Sequence, residues 1–458
     1  MPATRSMSIT ASLKELNELA ENKLTKWLYI IFSVKWWILG ALGGTFLLIG
    51  GTWTLVNTPK MRDVVKGFVN FCEEIFPNFT FAQGIVLAVF GLVVIIFAAY
   101  EMMQHYISVA YPRGKRSYYR TKVLQKGPKI VVIGGGSGLA TILSGLKEYT
   151  WNLTAAVSVG DDGGSSGRLR EQFGVIPLGD IRNCIVALSD REELTEQLLD
   201  YRFTKGEELD GHSLGNLLLL AMCDLKGDYA EAVANINNFL YLRGKVLPIA
   251  NEPITLCAEL EGGAEVCGEC NLRAAKEQIK RLKIEPQQIK AVPEVLRAID
   301  EADAIILGPG SLYTSVLPNL LVGGVAAHIK RAQGTVFYIN NVMTEPGETD
   351  SYQASDHLRA VVDYLGEGVL DYCILNDNFA VAPDVLVRYQ AEGAEIVRYD
   401  KEKLDKMNVK ILAADLLESG EVLRHDSKKL AHLVIETIYG DYQYYKRKPL
   451  WQRKRKKV

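Results

Sequence analysis

Apolar and polar positions divide the chain in two. Residues 36–56 and 79–100 are runs of 21 and 22 residues without a charged side chain. At 1.5 Å per residue, each is long enough as a helix to cross a hydrocarbon core of about 30 Å. From Lys129 the pattern changes. Short apolar runs at 130–133, 153–159, 304–307, 336–339 and 372–375 alternate with helical periodicity, as at 139–148, 213–224, 229–240 and 293–302. This alternation predicts an α/β fold with a parallel sheet covered on both faces. Residues 254–259 and 264–270, joined by Gly262-Gly263, read as a β-hairpin inserted into that rhythm.

The flanks of the apolar runs set the expected organisation. Trp36, Trp37 and Trp53 lie near the ends of the first run, and Phe79 and Tyr100 bound the second, as in interfacial aromatic belts. Lys23, Lys26 and Lys35 precede the first run, and Arg113, Lys115, Arg116, Arg120, Lys122 and Lys126 follow the second. This bias predicts a two-span hairpin at the cell membrane, with both termini and the main domain in the cytoplasm. Gly40 and Gly44 have the spacing for close helix–helix contact, and so for a homo-oligomer. The expected division is an N-terminal segment 1–33, a transmembrane hairpin 34–101, a basic linker 102–128, a nucleotide-binding domain 129–440 and a basic tail 441–458.

Charge sharpens the picture. The net charge of −2 conceals a tail, Lys446 onward, with eight Lys or Arg and no acid, on a body of −10. With two spans expected nearby, linker and tail are read as binding anionic lipid, and no nucleic-acid partner is expected. Seven scattered cysteines argue against a disulfide framework and fit a reducing compartment. Cys267-Gly268-Glu269-Cys270 lacks the second ligand pair that a zinc site requires.

The candidate chemistry lies in small-residue loops at strand ends. Gly134-Gly135-Gly136-Ser137-Gly138 follows the first apolar run and opens a helix, so its N–H groups suit a phosphate. It matches neither the strict dinucleotide fingerprint nor a P-loop. Asp161-Asp162 ends the second run and leads into Gly163-Gly164-Ser165-Ser166, with Arg168 beyond, a second anion loop. Asp161, Asp162 and Asp180 are candidate Mg²⁺ ligands, because Mg²⁺ takes one or two carboxylates beside phosphate. The alternative is that they cap turns and helices. Arg182 and Asn183 follow, then His212 and Asn216 on either side of a Ser213 N-cap. Gly308, Gly310 and Ser311 offer a close backbone approach and a hydroxyl, Tyr313 a ring to stack on a base or sugar, and Asn341 an amide to read a base edge. Arg243-Gly244-Lys245 is a candidate for neutralising a diphosphate, or a surface turn.

These stretches occur in a specific order. The segment from Val131 to Leu139, Asp161 to Arg170, Gly179 to Asn183, GHSLGNL from Gly211, LGPGSLYTS from Leu307 and NVMTEPGETD from Asn341 together resemble the YvcK-like gluconeogenesis-factor family. That family sits within the superfamily of CofD-like 2-phospho-lactate transferases. The resemblance spans about residues 129–439 and leaves out the two apolar runs. It implies a Rossmann-like fold with an inserted subdomain, and binding of nucleotide sugars such as UDP-N-acetylglucosamine. It also implies support of cell-wall synthesis, cell shape and gluconeogenic growth. The related transferases carry phospho-lactate or phosphoenolpyruvate from a guanosine diphosphate donor, using Mg²⁺ on Asp residues at the positions of Asp161, Asp162 and, by motif position, Asp180. The GHSLGNL and NVMTEPGETD forms favour binding and regulation over catalysis.

Overall fold

The computed structural model describes residues 123–446, apart from 206–208, 276, 419 and 421, together with five scattered positions before residue 101. The apolar runs at 36–56 and 79–100 (except Ile96 and Tyr100), the Gly40–Gly44 pair, the linker up to 122 and the tail beyond 446 lie outside the described residues. Among the described residues, no helix is long and apolar enough to cross a membrane.

Seven parallel strands form the central sheet: β1 (Ile130–Gly134), β2 (Leu153–Val157), β3 (Lys245–Pro248), β7 (Ala304–Leu307), β8 (Thr335–Ile339), β9 (Tyr372–Asn376) and β10 (Lys410–Ala414). Their order is β10-β9-β8-β7-β1-β2-β3. The five runs expected from the sequence are its five central strands. Each is buried almost end to end, because helices cover both faces of a parallel sheet. The edge strands β3 and β10 are additions to the sequence reading. One ends on Pro248, and the other is only half buried, although Ile411–Ala414 is apolar throughout.

The insert is a second, antiparallel sheet of β4 (Thr255–Leu260), β5 (Glu265–Cys267) and β6 (Ile279–Glu285), in the order β5-β4-β6. The expected hairpin is present, but its second half is shorter than read. Cys270 lies in the short helix Glu269–Ala275 rather than in the strand. Cys257 and Cys267 stand opposite each other across β4 and β5, and their sulfurs are joined. The insert thus carries one local crosslink where the cysteine pattern had suggested none.

Three helices position the site: α1 (Gly136–Leu146), α2 (Gly164–Phe173) and α3 (Gly179–Leu188). Two more helices are α4 (Leu214–Lys226) and α5 (Ser427–Lys446), which packs along α1. Strand order reverses between β1 and β7, so the chain leaves these neighbours in opposite directions. Right-handed crossovers then put their helices on opposite faces and open a crevice at the strands' carboxyl ends.

Candidate functional site

The crevice is framed by two glycine turns. β1 and β7 pair up to Ile133 and Leu307, and then Gly134–Gly138 and Gly308–Gly310 run side by side. A Cβ on Gly138 would lie 2.6 Å from the Pro309 carbonyl oxygen. One on Gly135 would lie 2.8 Å from Asp180 Oδ2 and 3.2 Å from Ser158 Cβ. At Gly138 the obstacle is backbone, which favours glycine; at Gly135 it is the Asp180 and Ser158 side chains, which would have to shift.

Three helix N-termini converge at the crevice. The sequence reading treated 136–138 and 164–168 as loops, but Gly136, Ser137 and Gly138 form the first turn of α1, and Gly164, Ser165, Ser166 and Arg168 lie in α2. The helices interlock. Gly136 N–H donates to Asp180 Oδ2 at 2.6 Å, and Gly179 N–H donates to Ser166 Oγ at 3.0 Å. The N-cap residues of α1, α2 and α3 (Gly135, Gly163 and Leu178) cap with no side chain. First-turn N–H groups therefore remain for an anion, favoured by three helix dipoles.

The three aspartates have separate surroundings. Asp162 caps the helix Glu269–Ala275, accepting from Glu269 N–H at 2.9 Å and Cys270 N–H at 3.0 Å. Asp161 Oδ1 accepts from Gly163 N–H at 2.9 Å. Burial raises the Asp161 carboxyl above its usual range, against the Gly163 hydrogen bond. Burial pushes Asp180 up to about 6, opposed by Gly136 N–H, with Asp161 adding repulsion. Among the described residues, no group of three or more His, Cys, Asp and Glu side chains is placed to hold a metal. Asp161 and Asp180 are nonetheless hard oxygen donors that repel one another, a donor set that fits Mg²⁺ completed by phosphate and water.

Beside them lies a buried polar network. Ser165 Oγ is 2.9 Å from His212 Nδ1 and accepts from Asn216 Nδ2 at 3.1 Å. Ser213 caps α4 as expected, accepting from Asn216 N–H. The Arg182 guanidinium is buried and donates to Ser213 Oγ (2.7 Å), Asn216 Oδ1 (3.3 Å) and Asn183 Oδ1 (3.0 Å), and it pairs with Asp200 at 2.8 Å. It braces Asn216 and Asn183 in place. Arg168 is exposed and donates to the Asp210 carbonyl at 3.0 Å. Burial lowers the His212 pKa, with Arg168 and Arg202 adding to the effect.

The loop after β7 divides in two directions. A Cβ on Gly310 would lie 3.1 Å from the Gly135 carbonyl oxygen, so this loop belongs to the crevice. Ser311 donates to Glu345, and Asn341 is partly exposed at the carboxyl end of β8. Tyr313 is buried in a single π-helical turn, and its hydroxyl meets that of Tyr352 at 2.9 Å. It lines a separate cavity of about 1060 Å³ beside β6. Arg243 lies at the amino end of β3, paired with Glu148 and Asp190, far along the sheet from the crevice. The diphosphate role read for it therefore fails on position.

Sequence reasoning missed the insert's contribution. Arg273 pairs with Glu269 at 2.8 Å and with Glu348 at 3.2 Å, tying the insert to the loop after β8. Burial raises Glu269 to about 8 in spite of Arg273, with Asp161 and Glu348 adding to the rise. Thr314 Oγ1 also donates to Glu348 Oε1 at 3.1 Å, while Oε2 has no protein partner. The signal was the cluster of acids Glu345, Glu348 and Asp350 in the NVMTEPGETD stretch.

The comparisons agree with this architecture. Residues 130–417 match the family of 2-phospho-L-lactate transferase CofD. The gluconeogenesis factor of Bacillus subtilis is 46% identical over 285 residues, covering 62% of this chain and 90% of its own. A protein of Nostoc sp. strain PCC 7120 is 41% identical over 403 residues, covering 86% of this chain and 88% of its own. That share exceeds what Lys122–Val458 alone can supply, so the likeness extends into the segment before it. A crystal structure of a Bacillus halodurans protein superposes with a TM-score of 0.66 at 45% identity, covering 68% of this chain and all of its own. With its reversed parallel sheet, its glycine turns at the switch point and these relatives, the chain belongs to the CofD-like family, among the YvcK-like gluconeogenesis factors.

Proposed function

We propose that the chain is a membrane-tethered regulator that binds a nucleotide sugar of the UDP-N-acetylglucosamine type in the β1/β7 crevice. It would support cell-wall synthesis, cell shape and gluconeogenic growth. One observation carries the reading: three helix N-termini, none capped by the side chain of its own N-cap residue, open on one crevice, where a diphosphate would find the first-turn N–H donors beyond those held by Asp180 and Ser166. The surrounding acids would repel it unless neutralised. Burial raises Glu269 to about 8, which weakens its charge, and Arg273 supplies a cation. Mg²⁺ on Asp161 and Asp180 would offset the remaining charge beside the phosphates.

The binding and anchoring readings have separate tests. Calorimetric titration of the full chain in detergent with UDP-N-acetylglucosamine, with and without Mg²⁺, should give saturable binding. No heat at millimolar ligand would sink the binding reading. The tether rests on the apolar runs at 36–56 and 79–100. A cysteine placed in the 57–78 loop, with Cys72 replaced, should react with an impermeant reagent on intact cells.

A second reading is Mg²⁺-dependent transfer of phospho-lactate or phosphoenolpyruvate from a guanosine diphosphate donor. The family match and the Asp161–Asp180 pair favour it. Turnover of a deazaflavin acceptor, lost in Asp180→Asn, would establish it.

A further inference from the structure

The crevice occupies the carboxyl end of the sheet, while both ends of the domain lie at the opposite edge. The chain arrives there: the Leu124 carbonyl accepts from Trp151 N–H at 3.0 Å, just before β1 begins. It also leaves there. In α5, the ring of His432 lies 6.5 Å from that of Tyr149, beyond the end of α1. Glu436, one turn further, acts on the Tyr149 hydroxyl, whose pKa burial raises first. The helix ends at Lys446, where the run of eight basic residues starts.

The same edge carries a loop with no evident use inside the protein. Phe239 and Tyr241, which precede β3, are 74% and 85% exposed. Tyr241 holds the left-handed conformation at φ 51°, uncommon for a bulky side chain. The loop is fixed to this edge, because Arg243 N–H donates to the Leu188 carbonyl and its guanidinium pairs with Glu148 and Asp190. Val123, where the chain arrives, is also 59% exposed. Three acids nearby are paired with cations, Glu301 with Lys129, and Glu148 and Asp190 with Arg243.

We infer that this amino-end face of the domain rests on an anionic bilayer. Phe239 and Tyr241 enter the headgroup region, and the ligand crevice is directed away from the membrane. Exposed aromatic residues favour that interfacial depth, and basic segments that leave from the same edge are drawn to the same surface. The inference rests on the membrane-tether reading and adds the orientation of the domain.

The test uses the full chain reconstituted into vesicles of phosphatidylcholine with 30% phosphatidylserine (about the regime where basic segments bind). Cys72 and Cys270 are replaced by serine, and an environment-sensitive fluorophore is placed on Tyr241→Cys or, separately, on Val387→Cys. Val387 is exposed, on the helix Pro383–Ala391 that follows β9. The label at 241 should shift to the blue and be quenched several-fold by spin-labelled lipid, and the label at 387 should not. Protein that does not incorporate into the vesicles overturns the tether reading and this inference with it. Incorporated protein with no quenching at 241, or with equal quenching at 387, overturns the orientation alone. A label at 241 that responds to added RNA and not to lipid overturns it in favour of a nucleic-acid face.

Discussion

Asp180 and Gly136 are joined by a 2.6 Å hydrogen bond that fastens the start of α3 to the turn after β1. The Asp180 carboxylate also lies where a Gly135 side chain would be, 2.8 Å from its ideal Cβ. Gly135→Ala must therefore displace Asp180, Ser158 or the turn itself. We expect at least a tenfold loss of affinity for UDP-N-acetylglucosamine by calorimetry. The stability loss should be modest, about 1–3 kcal/mol, as for an overpacked site. Unchanged affinity in a folded variant would separate the turn from the ligand.

Gly138→Ala sets two effects against each other. Within α1, alanine for glycine should gain about 1 kcal/mol. The new Cβ, however, meets backbone, 2.6 Å from the Pro309 carbonyl oxygen and 2.8 Å from its carbonyl carbon. Backbone cannot rotate away as a side chain can, so the clash should win by about 1–3 kcal/mol. Urea denaturation of the variant should show a lower midpoint; a raised one would mean that the two glycine turns can part freely.

Asp162 should behave as a cap. Its carboxylate takes both Glu269 N–H and Cys270 N–H. Asp162→Ala should cost about 1 kcal/mol of stability. Any Mg²⁺ enhancement of ligand binding should survive in it and disappear in Asp161→Asn. Equal loss in both variants would return Asp162 to the metal.

His425 should shape the acid limb of stability. Burial pushes its imidazole down to about 4, against a hydrogen bond to the Asn340 backbone, and Nε2 has no protein partner. The unfolded chain takes up this proton near pH 6.5, and the folded chain only near 4. Stability is therefore present above about 6.5 and is lost as pH falls towards 4, by up to about 1.4 kcal/mol per unit. In His425→Phe, denaturation midpoints between pH 7 and 4.5 should fall less steeply than in the parent. An identical slope would assign the acid limb to other groups.

The central strands were legible because burial on both faces leaves them mostly apolar, as in Ile130–Gly134 and Ala304–Leu307. The edge strand Lys410–Ala414 was passed over although Ile411–Ala414 is apolar; it is a sheet edge and only half buried. The helix Gly164–Phe173 read as a loop because Gly-Ser-Ser-Gly has poor intrinsic helix propensity. It is helical through distant partners: Ser165 is held by His212 and Asn216, and Ser166 by Gly179. The residues around Arg273 were hidden for a similar reason, since Glu269 and Glu348 meet only after the insert has folded back onto the loop following β8.

The pairing of β1 with β7 also governs when the crevice can exist. Lys129 N–H reaches Asp303 across a separation of 174 residues, at the start of the two strands whose far ends carry the glycine turns. Neither lip can hold its place until that contact closes, and distant contacts pay their loop entropy before they gain anything. A nascent chain still lacking β7 would have three of the helix N-termini and no binding site. Ligand capture would then report that β7 has taken its place beside β1.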